Sequence, residues 1–264
     1  MPKFAANLSM MFTEVPFLER FKLAADAGFS AVEYLFPYAH PAEEIAERLD
    51  QFALTQALFN LPPGDWDGGD RGIAGHPGRE DEFKASIEKA LSYAKTLGCK
   101  TLHCMAGSSA RGVDRDTAWA CYIANVRYAA EQAQALGITI VLEPINSRDM
   151  PGYLLALTQD ARKAIESVGA SNLGLQLDFY HCQIMEGDLA VHLRENQDIT
   201  RHIQIAGVPE RHEPDVGEIN YPYLFSQIDA LGYDGFVGCE YRPRGKTEDG
   251  LGWFTQYKRQ GASA

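Results

Sequence analysis

The stretch Gly137-Ile138-Thr139-Ile140-Val141-Leu142-Glu143-Pro144-Ile145-Asn146 is an apolar, β-branched run that ends abruptly in a carboxylate, a proline and an asparagine. It reads as a strand buried on both faces, the form a parallel sheet takes when helices cover it, and such sheets gather function at the carboxyl ends of their strands. Working outward, three later runs repeat the arrangement. Leu173 to Asp178 ends in Asp178, His202-Ile203-Gln204-Ile205 carries Gln204, and Gly235 to Glu240 ends in Glu240. The intervals between these residues are each about one strand-helix-strand unit, roughly 30 residues. That spacing can bring Glu143, Asp178, Gln204 and Glu240 to one rim. Any one of them alone reads as a polar residue closing a strand; four in register point to a site.

Two glutamates, an aspartate and a glutamine are hard oxygen ligands, which suit magnesium or manganese rather than a structural zinc. A divalent ion so held would polarise bound carbonyl and hydroxyl oxygens. Proton abstraction next to a carbonyl is then the natural chemistry, because a carboxylate bound through one oxygen keeps the other free as a base. Strand alternation also predicts that Gln176 faces inward with Asp178, His202 with Gln204, and Phe236 and Gly238 with Glu240.

The rest of the chain supplies the remaining strands. Phe4 to Asn7, Ala31 to Leu35, Leu54 to Asn60 and Lys100 to Met105 precede the opening stretch, and the last of these reaches a turn at Ala106-Gly107-Ser108-Ser109. Helices are expected from Pro16 to Gly28, over 41–51, through Phe83, Ile87, Ala90, Ala94 and Leu97, and over 115–136, 158–169, 186–199, 221–231 and 247–258, where apolar residues recur at helical spacing. Eight strands alternating with eight helices make a single (β/α)8 TIM barrel over residues 1–258, with 259–264 as a frayed tail. The apolar segment Leu8 to Phe12 reads as a pocket wall. The long irregular run from Leu61 to Arg79 reads as a substrate-covering loop, because loops of that length inside a compact domain are usually functional.

Composition bounds the function. The 264 residues are 45% hydrophobic, ample for one large core, and the net charge of −12 disfavours nucleic acid, whose binding draws on Lys and Arg. No signal-like opening or membrane-length apolar run is present, so the expectation is a soluble cytoplasmic protein without a membrane partner. Five cysteines without CxxC spacing read as reduced, mostly buried thiols. The oligomeric state stays open, a homo-oligomer included.

Several segments taken together resemble the bacterial hydroxypyruvate isomerases, which belong to the xylose isomerase-like barrels. They are Phe4-Ala5-Ala6-Asn7-Leu8-Ser9-Met10, Phe59-Asn60-Leu61-Pro62-Pro63-Gly64-Asp65-Trp66, Glu143-Pro144-Ile145-Asn146, Asp178-Phe179-Tyr180-His181, Gly217-Glu218-Ile219-Asn220-Tyr221 and Gly238-Cys239-Glu240-Tyr241. The resemblance covers nearly the whole chain. It implies interconversion of hydroxypyruvate and 2-hydroxy-3-oxopropanoate through an enediolate, with Glu143 and Glu240 as the acid/base pair. Glu143, Asp178, Gln204 and Glu240 carry over as ligands of magnesium or manganese, and His181 as a contact to substrate oxygen. The 2-oxo-tetronate isomerases look much the same and act on an acid one carbon longer. Ala206 to Asp215 resembles them at least as well, whereas Glu143 to Asn146 and the Asp65-Trp66 loop lean toward the shorter substrate.

A ketose 3-epimerase and a non-catalytic sugar-acid binding protein are the other readings; the glutamine at 204, where the epimerases generally place histidine, favours the isomerases. Three carboxylates around a doubly charged ion leave a net negative charge, so an anionic substrate needs local positive charge. Arg71, Arg79 and Arg211, on loops assigned to the active rim, are candidates to hold its carboxylate, with Arg71 ranked first. Asn7 and Asn60, at strand ends, join the candidate substrate-binding residues.

Overall fold

A computed structural model describes residues 1–108 and 113–258. Eight parallel strands close in sequential order into a barrel: β1 (Lys3–Asn7), β2 (Ala31–Tyr34), β3 (Thr55–Asn60), β4 (Thr101–His103), β5 (Thr139–Leu142), β6 (Leu173–Asp178), β7 (Thr200–Ile205) and β8 (Phe236–Cys239). Closure leaves no sheet edge, and each strand feeds a helix that returns outside the barrel. The outer layer consists of α1 (Phe17–Ala27), α2 (Ala42–Gln51), α3 (Glu80–Leu97), α4 (Arg115–Gln134), α5 (Thr158–Val168), α6 (Phe179–Met185), α7 (Leu189–Glu195) and α8 (Tyr221–Ala230). The expected barrel is the one found. The expected frayed tail at 259–264 and Ser109 of the turn after β4 lie outside the described residues.

Two helical expectations need correction. The single helix expected over 186–199 is replaced by α6 and α7, divided where Gly187 (φ 71°) and Asp188 (φ 45°) enter the left-handed region. The first of these helices starts directly on the strand, because the Asp178 carboxylate accepts the Tyr180 amide at 2.8 Å and caps it. The last expected helix is a 3₁₀ segment, Thr247–Tyr257. Glycine inside it is favoured by space: a Cβ at Gly250 would lie 2.3 Å from a Glu213 carboxylate oxygen.

The main apolar core fills the layer between barrel and helices, with Phe21, Ile87, Val126, Ile140, Leu175 and Ile228 fully buried. A second, small cluster of Ala5, Ala31 and Ala57 against Phe236 plugs the amino-terminal end of the lumen. Above it the lumen turns polar. Gln176, His202 and Gly238 face inward as strand alternation predicts, since Gln176 Nε2 donates to Gln204 Oε1 at 2.6 Å, His202 Nε2 meets Glu33 Oε2 at 2.7 Å, and a Cβ on Gly238 would strike the Glu33 carboxylate. Among the described residues no helix is long and apolar enough to cross a membrane.

Candidate active site

The carboxyl ends of the strands open into a cavity of about 300 Å³ whose walls include Met10, Trp66, Glu143, His181, Arg211 and Glu240. A wall from the first loop, Leu8 to Phe12, is therefore realised at Met10. From the long loop, Trp66 and Arg71 reach the cavity, with the Arg71 guanidinium 4.1 Å above the Trp66 ring. Its Nη1 donates to the carbonyls of Trp66 and Asp70 at 2.9 and 2.6 Å. The loop is closed on itself by Asp70, which accepts the Asp65 amide at 2.7 Å and pairs with Arg79 at 2.8 Å. Arg79 also binds Glu82 and does not line the cavity, so it drops out as a holder of substrate.

Burial and charge set the chemistry of the cluster. Glu143, Asp178, His181 and Arg211 are buried, and the Arg211 guanidinium stands among the carboxylates. Its Nη2 donates to Glu240 Oε1 at 2.6 Å and lies 3.5 Å from Asp178 Oδ2. Its Nη1 is 3.7 Å from Asp149, and the group lies over the Tyr180 ring at 4.6 Å. Burial, then the charges of Glu240 and Asp178, push the Glu143 carboxyl well above the usual carboxylate range. Glu240 and Asp178 are also raised, burial being the largest cause, while Arg211 pulls both back down. The values reached are about 8 for Glu240 and about 6 for Asp178.

Among the described residues Glu143 Oε1 has no hydrogen-bond partner, and Oε2 is 3.4 Å from His103 Nδ1. Burial followed by the charge of His202 lowers the His103 imidazole to about 3, so it is neutral in the lumen. Glu143, Asp178 and His181 each present one ligand-type atom, all within 4.8 Å of one another. His181 is nevertheless held as a donor. Asn146 Oδ1 accepts the Asp149 amide at 2.8 Å, which turns Asn146 Nδ2 onto His181 Nδ1 at 2.6 Å. An accepting Nδ1 puts the ring proton on Nε2, which lies 3.6 Å from Asp178 and 3.8 Å from Glu143, with the Arg211 Nη2 also 3.5 Å away. Gln204 meets Glu240 Oε2 through Nε2 at 2.6 Å, and its oxygen accepts from Gln176.

Asn7 donates to Glu240 Oε2 at 3.2 Å, beneath the cavity, and Asn60 lines its wall. The structure thus brings together Glu143, Asp178, Gln204, Glu240, His181, Arg211, Asn7 and Asn60, with Arg71 at the mouth. Reading the sequence missed Glu33, His103 and the cavity-lining Arg242. Glu33 left a signal: a carboxylate in the middle of a strand expected to be covered on both faces belongs either in a lumen or nowhere.

Residues 21–257 match the family model described as the xylose isomerase-like TIM barrel. A 2-oxo-tetronate isomerase of Cupriavidus necator is 56% identical over 97% of this chain and 99% of its own length. The hydroxypyruvate isomerase of Escherichia coli is 45% identical over 98% of this chain and 100% of its own. Among solved structures, a Brucella melitensis protein described as an AP endonuclease, family 2, is 54% identical, with a TM-score of 0.96 over 98% of this chain and 100% of that one. The chain therefore belongs to the xylose isomerase-like TIM barrel family and is one of its isomerases.

Proposed function

We propose that the protein isomerises a small hydroxy-oxo acid, with 2-oxo-tetronate as the first candidate and hydroxypyruvate as the second. The observation that carries the reading is the buried group of Glu143, Asp178 and Glu240 around one cationic centre at the barrel mouth. The four-carbon acid is placed first because the Cupriavidus relative that acts on it shares more of this sequence than the Escherichia coli hydroxypyruvate isomerase does.

The same residues fit a magnesium or manganese ion. Among the described residues Glu143 Oε1 is buried without a hydrogen-bond partner, and the donors are carboxylate oxygens, which hard cations prefer. Glu143, Asp178 and Glu240 would hold it, with Gln204 Oε1, the oxygen now accepting from Gln176, as the expected fourth donor. When bound, the ion supplies Lewis-acid polarisation of the substrate's carbonyl and hydroxyl oxygens.

The chain's own groups do the rest. One glutamate of the pair Glu143 and Glu240 removes the proton from the carbon bearing the hydroxyl, leaving an enediolate. The other delivers a proton to the neighbouring, formerly carbonyl, carbon, and the hydroxyl proton passes from one oxygen to the other, so that the ketone moves along the chain. His181 Nε2–H donates to a substrate oxygen. Arg71 holds the carboxylate: only its Nη1 is engaged among the described residues, whereas Arg211 is committed to Glu240 and Asp178. The walls of Met10, Trp66 and Met105 limit access of water to the enediolate. Five free cysteines, four of them buried, suit a reducing compartment such as the cytoplasm.

The endonuclease description of the Brucella structure raises a second reading, but a net charge of −12 opposes a polyanion. Measuring kcat/KM for both acids tests the proposal. A tenfold or larger preference for 2-oxo-tetronate supports it, a preference for hydroxypyruvate promotes the second reading, and turnover of neither rejects both.

A further inference from the structure

Glu33 is fully buried in the lumen, on β2, and no step of the chemistry above uses it. Its Oε1 accepts from Asn7 Nδ2 at 3.0 Å and from Gln204 Nε2 at 2.7 Å. Both amide groups also donate to Glu240 Oε2, at 3.2 and 2.6 Å respectively. Each amide nitrogen carries two hydrogens, so one points at each carboxylate and the four side chains close a ring. Glu33 Oε2 meets His202 Nε2 at 2.7 Å, which fixes the carboxylate in its plane.

Room for it is made on β8, two residues before Glu240. A Cβ at Gly238 would lie 2.3 Å from both Glu33 oxygens, closer than a real Cβ comes to any neighbour. The backbone there is not in the left-handed region, so glycine at 238 is a matter of space.

We infer that Glu33 is the positioning residue for Glu240. Through the amides of Asn7 and Gln204 it pins Glu240 Oε2 to the barrel floor, and the other oxygen, Oε1, is left facing the cavity, where Arg211 now meets it. It also dictates that both amides present nitrogen, since their oxygens would face two carboxylates. The inference rests on the proposed role of Glu240 as one of the acid/base pair, and it assigns Glu33 no contact with substrate.

The test compares Glu33→Gln, Gly238→Ala and the double variant Glu33→Asp/Gly238→Ala with wild type. Removing an outer partner of this kind typically costs about 10- to 100-fold. Glu33→Gln and Gly238→Ala, substitutions on different strands, are both expected to lower kcat by that factor with KM within about threefold. The double variant shortens the acid by one methylene where the new methyl intrudes, and it is expected to recover at least tenfold over Gly238→Ala. Two readouts need no turnover: calorimetric titration of manganese into metal-depleted protein, and the crystallographic position of the Glu240 carboxylate. Weakened manganese binding and a rotated Glu240 in both single variants support the inference. Glu240 unmoved in Glu33→Gln, with manganese affinity and kcat as in wild type, overturns it. If wild type turns over neither acid, the functional reading fails by itself, and the calorimetric and crystallographic results still decide what Glu33 does.

Discussion

Arg211 Nη2 sits 2.6 Å from Glu240 Oε1, on a residue whose backbone is held in the left-handed region at φ 60°. A strained non-glycine backbone costs about 1–3 kcal/mol and persists where surrounding contacts over-determine it. Here the contacts are ionic: the guanidinium offsets Glu240 and Asp178 in a site where burial alone would keep them protonated. Arg211→Ala is expected to lower kcat/KM at least tenfold. It should also lower the melting temperature of the metal-depleted protein by several degrees, with manganese restoring most of the loss, because a cation that binds only the folded state stabilises it. Thermal melts with and without manganese check this; equal shifts in both conditions would show that Arg211 does not share the carboxylates with the ion.

Glu143→Gln and Glu240→Gln keep the shape of each side chain and remove its basicity. Each is expected to reduce isomerisation by at least about 100-fold, the lower end of what general acid–base catalysis contributes. Loss of proton exchange at one substrate carbon only, in one variant only, would identify the base for that carbon. Retention of full exchange in both variants would remove the pair from the mechanism.

Arg71 is placed by its stacking on Trp66 and by two backbone carbonyls, an arrangement that holds a guanidinium still without neutralising it. Arg71→Ala is expected to raise KM for the acid at least tenfold, and Trp66→Ala to raise it less, through loss of the platform. A kcat/KM within twofold of wild type in Arg71→Ala would take the carboxylate away from this residue.

Gly72 carries φ 99°, and a Cβ there would lie 2.5 Å from the Met105 carbonyl oxygen. The loop that carries Trp66 and Arg71 is thus seated against the end of β4 by backbone contact. Gly72→Ala combines a disfavoured conformation with a clash and is expected to cost about 2–3 kcal/mol, roughly 4–12 °C in melting temperature for a chain of this size. An unchanged melting temperature would show that the loop moves away freely.

The thiols give a pH dependence with a definite sign. Burial raises Cys99 and Cys104 from 9.0 to about 12, and Cys121 to about 11. Between pH 9 and 11 the unfolded chain loses thiol protons that the folded chain keeps, so stability falls as pH rises through this window. Denaturant melts at pH 8 and pH 10 should show that loss, and a thiol reagent at pH 8 should leave Cys99 and Cys104 unmodified in the native protein.

Much of the site was legible because it falls where strand patterns stop. Glu143, Asp178, Gln204 and Glu240 close or nearly close apolar runs, and an abrupt polar residue there has to face the rim. His103 was not legible, since in a short strand a polar residue looks like ordinary alternation, and Glu33, although out of place in a covered strand, carried no mark of what it pairs with. The partner that explains Glu33, His202, is 169 residues away. The helix from Phe179 was missed because its cap, Asp178, was already spent as a strand end; one residue serves as both. The left-handed backbone of Arg211 has no sequence mark, since arginine rarely adopts it.

Deuterium incorporation followed by NMR reads the proposed metal-dependent proton transfer between adjacent carbons. Metal-depleted protein would be incubated in heavy water with 2-oxo-tetronate and, separately, with hydroxypyruvate, before and after manganese or magnesium is returned. No incorporation is expected without metal, and with it incorporation together with isomerised product for one of the acids. Incorporation that is as fast in metal-depleted protein, or its absence with both acids after metal is returned, would contradict it.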